Sequence, residues 1–217
     1  RKQGRDIINL GIGQPDFLTP EHIVEAAIKA LTDGVHGYTP ALGIEPLRET
    51  VSEKYNKRYN VSVNPNNILI TPGGKPVIFF ATCMFGEKGS EILCPNPGFP
   101  IYQSAARFSE ARVAFYPLME EEGFSINADR ILDKITSNTR LIILNTPHNP
   151  TGSVSSHIEI KKLTSGLMDY PNVVILSDEI YSKMHFGNLI HTSMVQFPEI
   201  RERVIILDGW SKAYAMT

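Results

Sequence analysis

Two cysteines in 217 residues, Cys83 and Cys94, are too few for a disulfide framework. Both sit in apolar surroundings without metal-ligand spacing, so free thiols in a reducing compartment are expected. No apolar run approaches the roughly 20 residues needed to span a bilayer, and the N-terminus lacks a signal-peptide core. Lysine and arginine form no run, and 21 basic against 23 acidic side chains leave a net charge of −2. That balance excludes an electrostatic footprint for nucleic acid or a membrane surface. Internal repeats and low-complexity tracts are absent too. What remains, 42% apolar and 20% charged, is the makeup of a globular protein with core for one or two domains. A small-molecule partner and a cytoplasmic setting are expected. Arg1 is not an initiator methionine, and Thr217 follows directly on a motif of catalytic character, so a piece of a longer protein is expected.

Thr19 is placed to cap a helix with Pro20 in its first turn, followed by Ile23, Ala26, Ala27, Ala30 and Leu31 at helical spacing and ended by Gly34. A second amphipathic helix is expected from about 44 to 59, then a polar loop over 60–67. Beyond it, short apolar runs at 68–70, 92–93, 113–115, 141–144, 173–176 and 204–207 alternate with stretches of helical length at 75–85, 101–108, 128–135 and 156–168. Strands apolar on both faces and alternating with helices predict an α/β fold, a largely parallel sheet sandwiched by helices.

Five of the runs end in polar or glycine-rich clusters: TPGGK, CPNPGFP, NTPHNPTG, SDEIY and DGWSK. Ligands of open α/β sheets bind outside the carboxyl ends of the strands, so all five are expected to face one pocket. Gly73, Gly74 and Lys75 open a helix after a strand and could cradle a phosphate with their N–H groups, although glycine there also serves turn geometry alone. The Walker spacing is missing, and Gly11 and Gly13 lack the third glycine of a dinucleotide fingerprint. Phe99, between Gly98 and Pro100, is held in a rigid turn suited to stacking on a flat ring. Asn149 lies in a constrained loop with at least one cis proline expected. His148 reads as a polar contact. Asp178, directly after an apolar run, needs a cationic partner if buried, and a protonated pyridine nitrogen is one. Lys212 either snorkels to solvent or works as a Schiff-base amine. Together with Tyr181, these groups suit a pyridine aldehyde, pyridoxal phosphate.

With these residues laid out, the chain resembles fold-type I pyridoxal phosphate enzymes, specifically the aspartate aminotransferase class I/II family. The likeness runs from LGIGQPDF near residue 10 to the end and rests on NTPHNPTG, SDEIY and SKAYAMT. By that resemblance, residues 1–15 would belong to a small domain and 16–217 to a partial large domain incomplete at its C-terminus. Lys212 would form the internal aldimine and then shuttle the proton between substrate and cofactor. Asp178 would pair with the pyridinium, and Tyr181 and Asn149 would bond the cofactor's phenolate oxygen. Phe99 would stack, and Gly73, Gly74, Lys75 and Ser211 would surround the phosphate. Gly13, Lys75 and Asn149 would meet the substrate, an amino acid or a 2-oxo acid, with aspartate and 2-oxoglutarate as the modal pair. Tyr38 would reach the phosphate of a neighbouring subunit, implying a homodimer with shared sites.

One departure moves a proline: Gly43, Ile44, Glu45, Pro46 and Leu47 replace the usual order, which is expected to shift the second helix start. A pyridoxal phosphate lyase on the same scaffold, a non-catalytic effector-binding domain of a transcription regulator, and a nucleotide-binding α/β protein are the rival readings.

Overall fold

A strand that is apolar on both faces needs cover on both, and that requirement organises the molecule. The computed structural model describes residues 4, 6–8 and 11–217; the rest of the expected small-domain segment lies outside the described residues. Two helices come first, α1 (Glu21–Thr32) and α2 (Glu45–Tyr59). Then follow α3 (Lys75–Phe85), β1 (Glu91–Asn96), α4 (Pro100–Phe108), β2 (Arg112–Pro117), α5 (Ala128–Leu132), β3 (Thr139–Asn145), α6 (His157–Gly166), β4 (Val174–Asp178) and β5 (Val204–Leu207).

The five strands form one sheet in the order β2-β1-β3-β4-β5, every pairing parallel. Side chains alternate across it. Ile142 and Leu144 join Ile131, Ile160 and Leu163 of α5 and α6 on one face. Leu141 and Ile143 meet Ile78, Tyr102 and Ala105 of α3 and α4 on the other. Ile143 is wholly buried in the central strand. Its replacement by alanine is expected to cost about 2–5 kcal/mol, read as a lower urea midpoint with an unchanged m-value.

The chain runs outward from β1 to β2 and then returns to start β3 on the other side of β1. Loops leaving β1 and β3 therefore diverge, and a crevice opens between them at the carboxyl ends. Phe99 follows β1, and Asn149 follows β3. The cis bonds fall in the same two loops, at Asn96–Pro97, Thr146–Pro147 and Asn149–Pro150.

Three expectations need correction. Residues 68–70 join no strand; the Ile70 N–H donates instead to the Leu42 carbonyl at 3.0 Å. Thr19 does not cap α1. Its hydroxyl donates to the Ala215 carbonyl at 2.8 Å, and Pro20 occupies the cap position without a side-chain bond. The second helix is not amphipathic in the expected sense, because its buried residues are Arg48, Ser52 and Tyr59. Arg48 donates to the carbonyls of Gly43 and Pro65, and Ser52 to that of Val63, so polar bonds rather than an apolar stripe dock α2. Pro46 sits in the first turn, where its missing N–H costs nothing, and the helix starts at Glu45.

Cys83 is exposed and Cys94 buried, both as free thiols. Among the described residues no helix is long and apolar enough to cross a membrane.

Candidate active site

Asp178 is the last residue of β4, and its place at the sheet's carboxyl end leaves it 4% exposed. One carboxylate oxygen, Oδ2, accepts from the Tyr102 hydroxyl at 2.6 Å, and Oδ1 accepts from the Ile180 N–H at 3.2 Å. Burial pushes its pKa up to about 6, while those two bonds pull the other way. Among the described residues no cationic side chain is bonded to it. A buried acid with two donors and no cation is a fitting seat for a protonated ring nitrogen.

The neighbouring strand end is tied to it. Asn145 closes β3, opposite Asp178 in register. Its amide nitrogen donates to the Asp178 carbonyl at 3.0 Å, and its Oδ1 accepts from the Asn149 N–H at 2.8 Å. The loop that carries Asn149 is thereby fixed to the strand that carries Asp178. His148 is buried in the same loop, with Nδ1 2.8 Å from the Thr151 hydroxyl. Burial lowers its pKa to about 4, which keeps the ring neutral.

Tyr181 follows Asp178 by one turn, and burial together with the Asp178 charge raises its phenol pKa. The Lys212 ammonium lies 5.8 Å from the Tyr181 ring centroid and donates to the Gly13 carbonyl at 2.6 Å. Acid, phenol and amine thus belong to one neighbourhood, with Gly13 closing it from the N-terminal segment. Phe99 stands edge-on to Tyr102, with 5.7 Å between ring centroids, so the ring after β1 packs on the side chain that is bonded to Asp178.

Gly73, Gly74 and Ser211 line a cavity of ≈ 710 Å³ between residues 68–71 and the end of β5. Gly73 has φ +87°, which favours glycine, and a Cβ on Gly74 would come within 3.1 Å of Leu207. The Gly73 N–H donates to the Thr71 carbonyl at 2.8 Å, while Gly74 sits at the cap position of α3, whose N-terminus is a setting for an anion. The cavity wall includes Ile180 and Ser211, neighbours of Tyr181 and Lys212, but not Asp178, Tyr181 or Lys212 themselves.

Two expected residues stand apart. Tyr38 is fully exposed, and Lys75 borders an apolar groove with Phe79, Phe80 and Phe108. Sequence reasoning missed Tyr102 and Asn145. Tyr102 carried a signal, a hydroxyl three positions after Phe99 on a helix face shared with Ala105 and Ala106. It also missed the Tyr214 hydroxyl, which accepts from Lys54 at 3.0 Å and Lys183 at 2.5 Å.

The chain is similar to known proteins. Residues 5–217 match the family model for aminotransferase class I and II. A probable aspartate aminotransferase of Methanocaldococcus jannaschii is 42% identical over 98% of this chain and 55% of its own length. An aspartate aminotransferase of Pyrococcus horikoshii is 39% identical over 98% of this chain and 54% of its own. The crystal structure of the aspartate aminotransferase from Rhizobium meliloti superposes with a TM-score of 0.95 at 30% identity, covering 100% of this chain and 54% of that one. The chain spans about half the length of the curated relatives it matches.

Proposed function

This chain belongs to the aminotransferase class I and II family, and on that premise we propose that the full-length protein moves an amino group between an amino acid and a 2-oxo acid. Aspartate is the favoured amino donor, supported by the names of the relatives, with 2-oxoglutarate as acceptor. Members of the family use pyridoxal phosphate. When bound, its protonated ring draws electrons away from the substrate α-carbon.

The observation that carries the reading is Asp178, buried at the strand end with no cationic side chain bonded to it among the described residues and acting on Tyr181, whose ring the Lys212 ammonium approaches to 5.8 Å. Asp178 would hold the ring nitrogen in its protonated form. Asn149 and Tyr181 would donate to the ring oxygen, Phe99 would cover one face, and Gly73, Gly74, the Lys75 backbone and Ser211 would surround the phosphate. Lys212 would hold the cofactor through Nζ and move the proton at the substrate α-carbon. Gly13, Lys75 and Asn149 meet substrate, and Tyr38, exposed and free to reach outward, serves the partner subunit of a homodimer. Residues 1–15 belong to the small domain and 16–217 to the large one, in a cytoplasmic enzyme.

The test is turnover of full-length protein with pyridoxal phosphate and aspartate. Product formation that requires an added 2-oxo acid supports amino transfer; oxo-acid-independent elimination to pyruvate identifies a lyase and overturns it. A Cβ at Gly98 would stand 2.6 Å from the Pro95 carbonyl oxygen, a backbone atom with little room to give. Gly98→Ala is therefore expected to displace the Phe99 loop and weaken cofactor binding ten- to a hundredfold, measured by equilibrium dialysis.

A further inference from the structure

We propose that Tyr102 is a positioning residue: its hydroxyl fixes the rotamer and charge of Asp178 while its ring edge sets the plane of Phe99, so one side chain sets the acid and the stacking ring together. The inference rests on the function proposed above for Asp178 and Phe99 and deepens it.

Tyr102 is 1% exposed, packed on the sheet face formed by Cys94, Leu141, Ile143 and Leu176. A tyrosine buried that deeply needs a partner for its hydroxyl. The partner is Asp178 Oδ2 at 2.6 Å, a bond linking α4 to the end of β4 across 76 positions of chain. Because a bond to the charged form favours ionisation, this donor opposes the effect of burial and helps keep Asp178 ionised. Glu179 and Asp208 favour its neutral form, and the Tyr181 phenol also interacts with it. The Tyr102 hydroxyl, with the Ile180 N–H, pulls the acid towards charge.

The same ring meets Phe99 at an interplanar angle of 85°. Edge-to-face contact fixes one ring plane relative to the other. Phe99 immediately precedes α4, and Tyr102 lies in its first turn, so the helix start delivers both rings as a unit. A displacement of Tyr102 would move the acid's partner and the stacking face together.

The test uses Tyr102→Phe in the full-length protein, which keeps the ring and its packing and removes the hydroxyl alone. In the cofactor-free protein the Asp178 carboxyl, followed by carbon-13 NMR, is expected to titrate at least about one pH unit higher in the variant. Pyridoxal phosphate affinity is expected to fall about tenfold to a hundredfold. In an Asp178→Asn background the same substitution should change affinity less than threefold, because the interaction it removes is with the charged acid. An unchanged Asp178 titration overturns the proposal, as does an affinity loss that persists undiminished in the Asp178→Asn background, which would leave Tyr102 a packing residue. Should the wild-type protein not bind the cofactor, the functional reading fails while the cofactor-free titration still decides the role of Tyr102. If Tyr102→Phe does not fold, titration of wild-type Asp178 in its ordinary range near 4 would contradict the proposed burial and pairing.

Discussion

Replacing Lys212 by alanine in the full-length protein is expected to lower kcat by on the order of ten-thousandfold or more, while cofactor is still retained by the groups around it. The asymmetry follows from geometry. Lys212 supplies one amine, 5.8 Å from the Tyr181 ring centroid and bonded to the Gly13 carbonyl. Three other lysines are engaged elsewhere: Lys54 and Lys183 with the Tyr214 hydroxyl, and Lys75 beside an apolar groove at the start of α3. On the function proposed, loss of the amine would remove both the covalent hold and the proton carrier. The acid at Asp178, the ring of Phe99 and the N-terminus of α3 would remain. Absorbance and steady-state kinetics check the two halves together: binding persists without a borohydride-fixable band, and turnover disappears.

The second large effect runs in two directions at once. Asp178→Asn is expected to inactivate the loaded enzyme by a factor on the order of a thousand, yet to stabilise the cofactor-free protein by on the order of 2 kcal/mol at pH 8. Asp178 titrates at about 6 in the folded chain against an ordinary 3.8. Between those values the folded state holds a proton that the unfolded state has released, so stability falls as pH rises through the window. The penalty is fully developed above about pH 6 and absent below about pH 4. A neutral amide of the same shape keeps a partner for the Tyr102 hydroxyl and escapes the penalty. Urea unfolding at pH 8 and at pH 4 measures it: the advantage of the variant should vanish at the lower pH. Equal advantage at both would mean that charge is not the cause.

How much of this was legible in the sequence depends on the range over which each feature is set. The five strands and the helices between them could be read because each strand carries its own apolar run, and the helices facing it announce themselves locally. Residues 68–70 look the same on paper, but a strand exists only with a partner, and the hydrogen bond of Ile70 goes to Leu42. α2 was misread for a related reason: Leu47 and Val51 recur at helical spacing, yet they line the large cavity, and the helix docks through Arg48 and Ser52. Asp178, Tyr181 and Lys212 could be located because each follows a recognisable run. Tyr102 offered only a weak local signal, its spacing from Phe99, since its hydroxyl partner lies 76 residues away. Tyr38 was named through resemblance and Lys75 also from its place at the start of a helix; within a single chain one is fully exposed and the other borders an apolar groove.

Everything rests on one amine and one acid serving the same cofactor. The most direct measurement is borohydride reduction of the full-length protein with pyridoxal phosphate, followed by peptide mapping of the label in wild type and in Asp178→Asn. The account expects label at Lys212 alone, with a blue-shifted or weakened absorbance band in the variant. Label at Lys54, Lys75 or Lys183 in place of Lys212, or a band indifferent to Asp178, would contradict it.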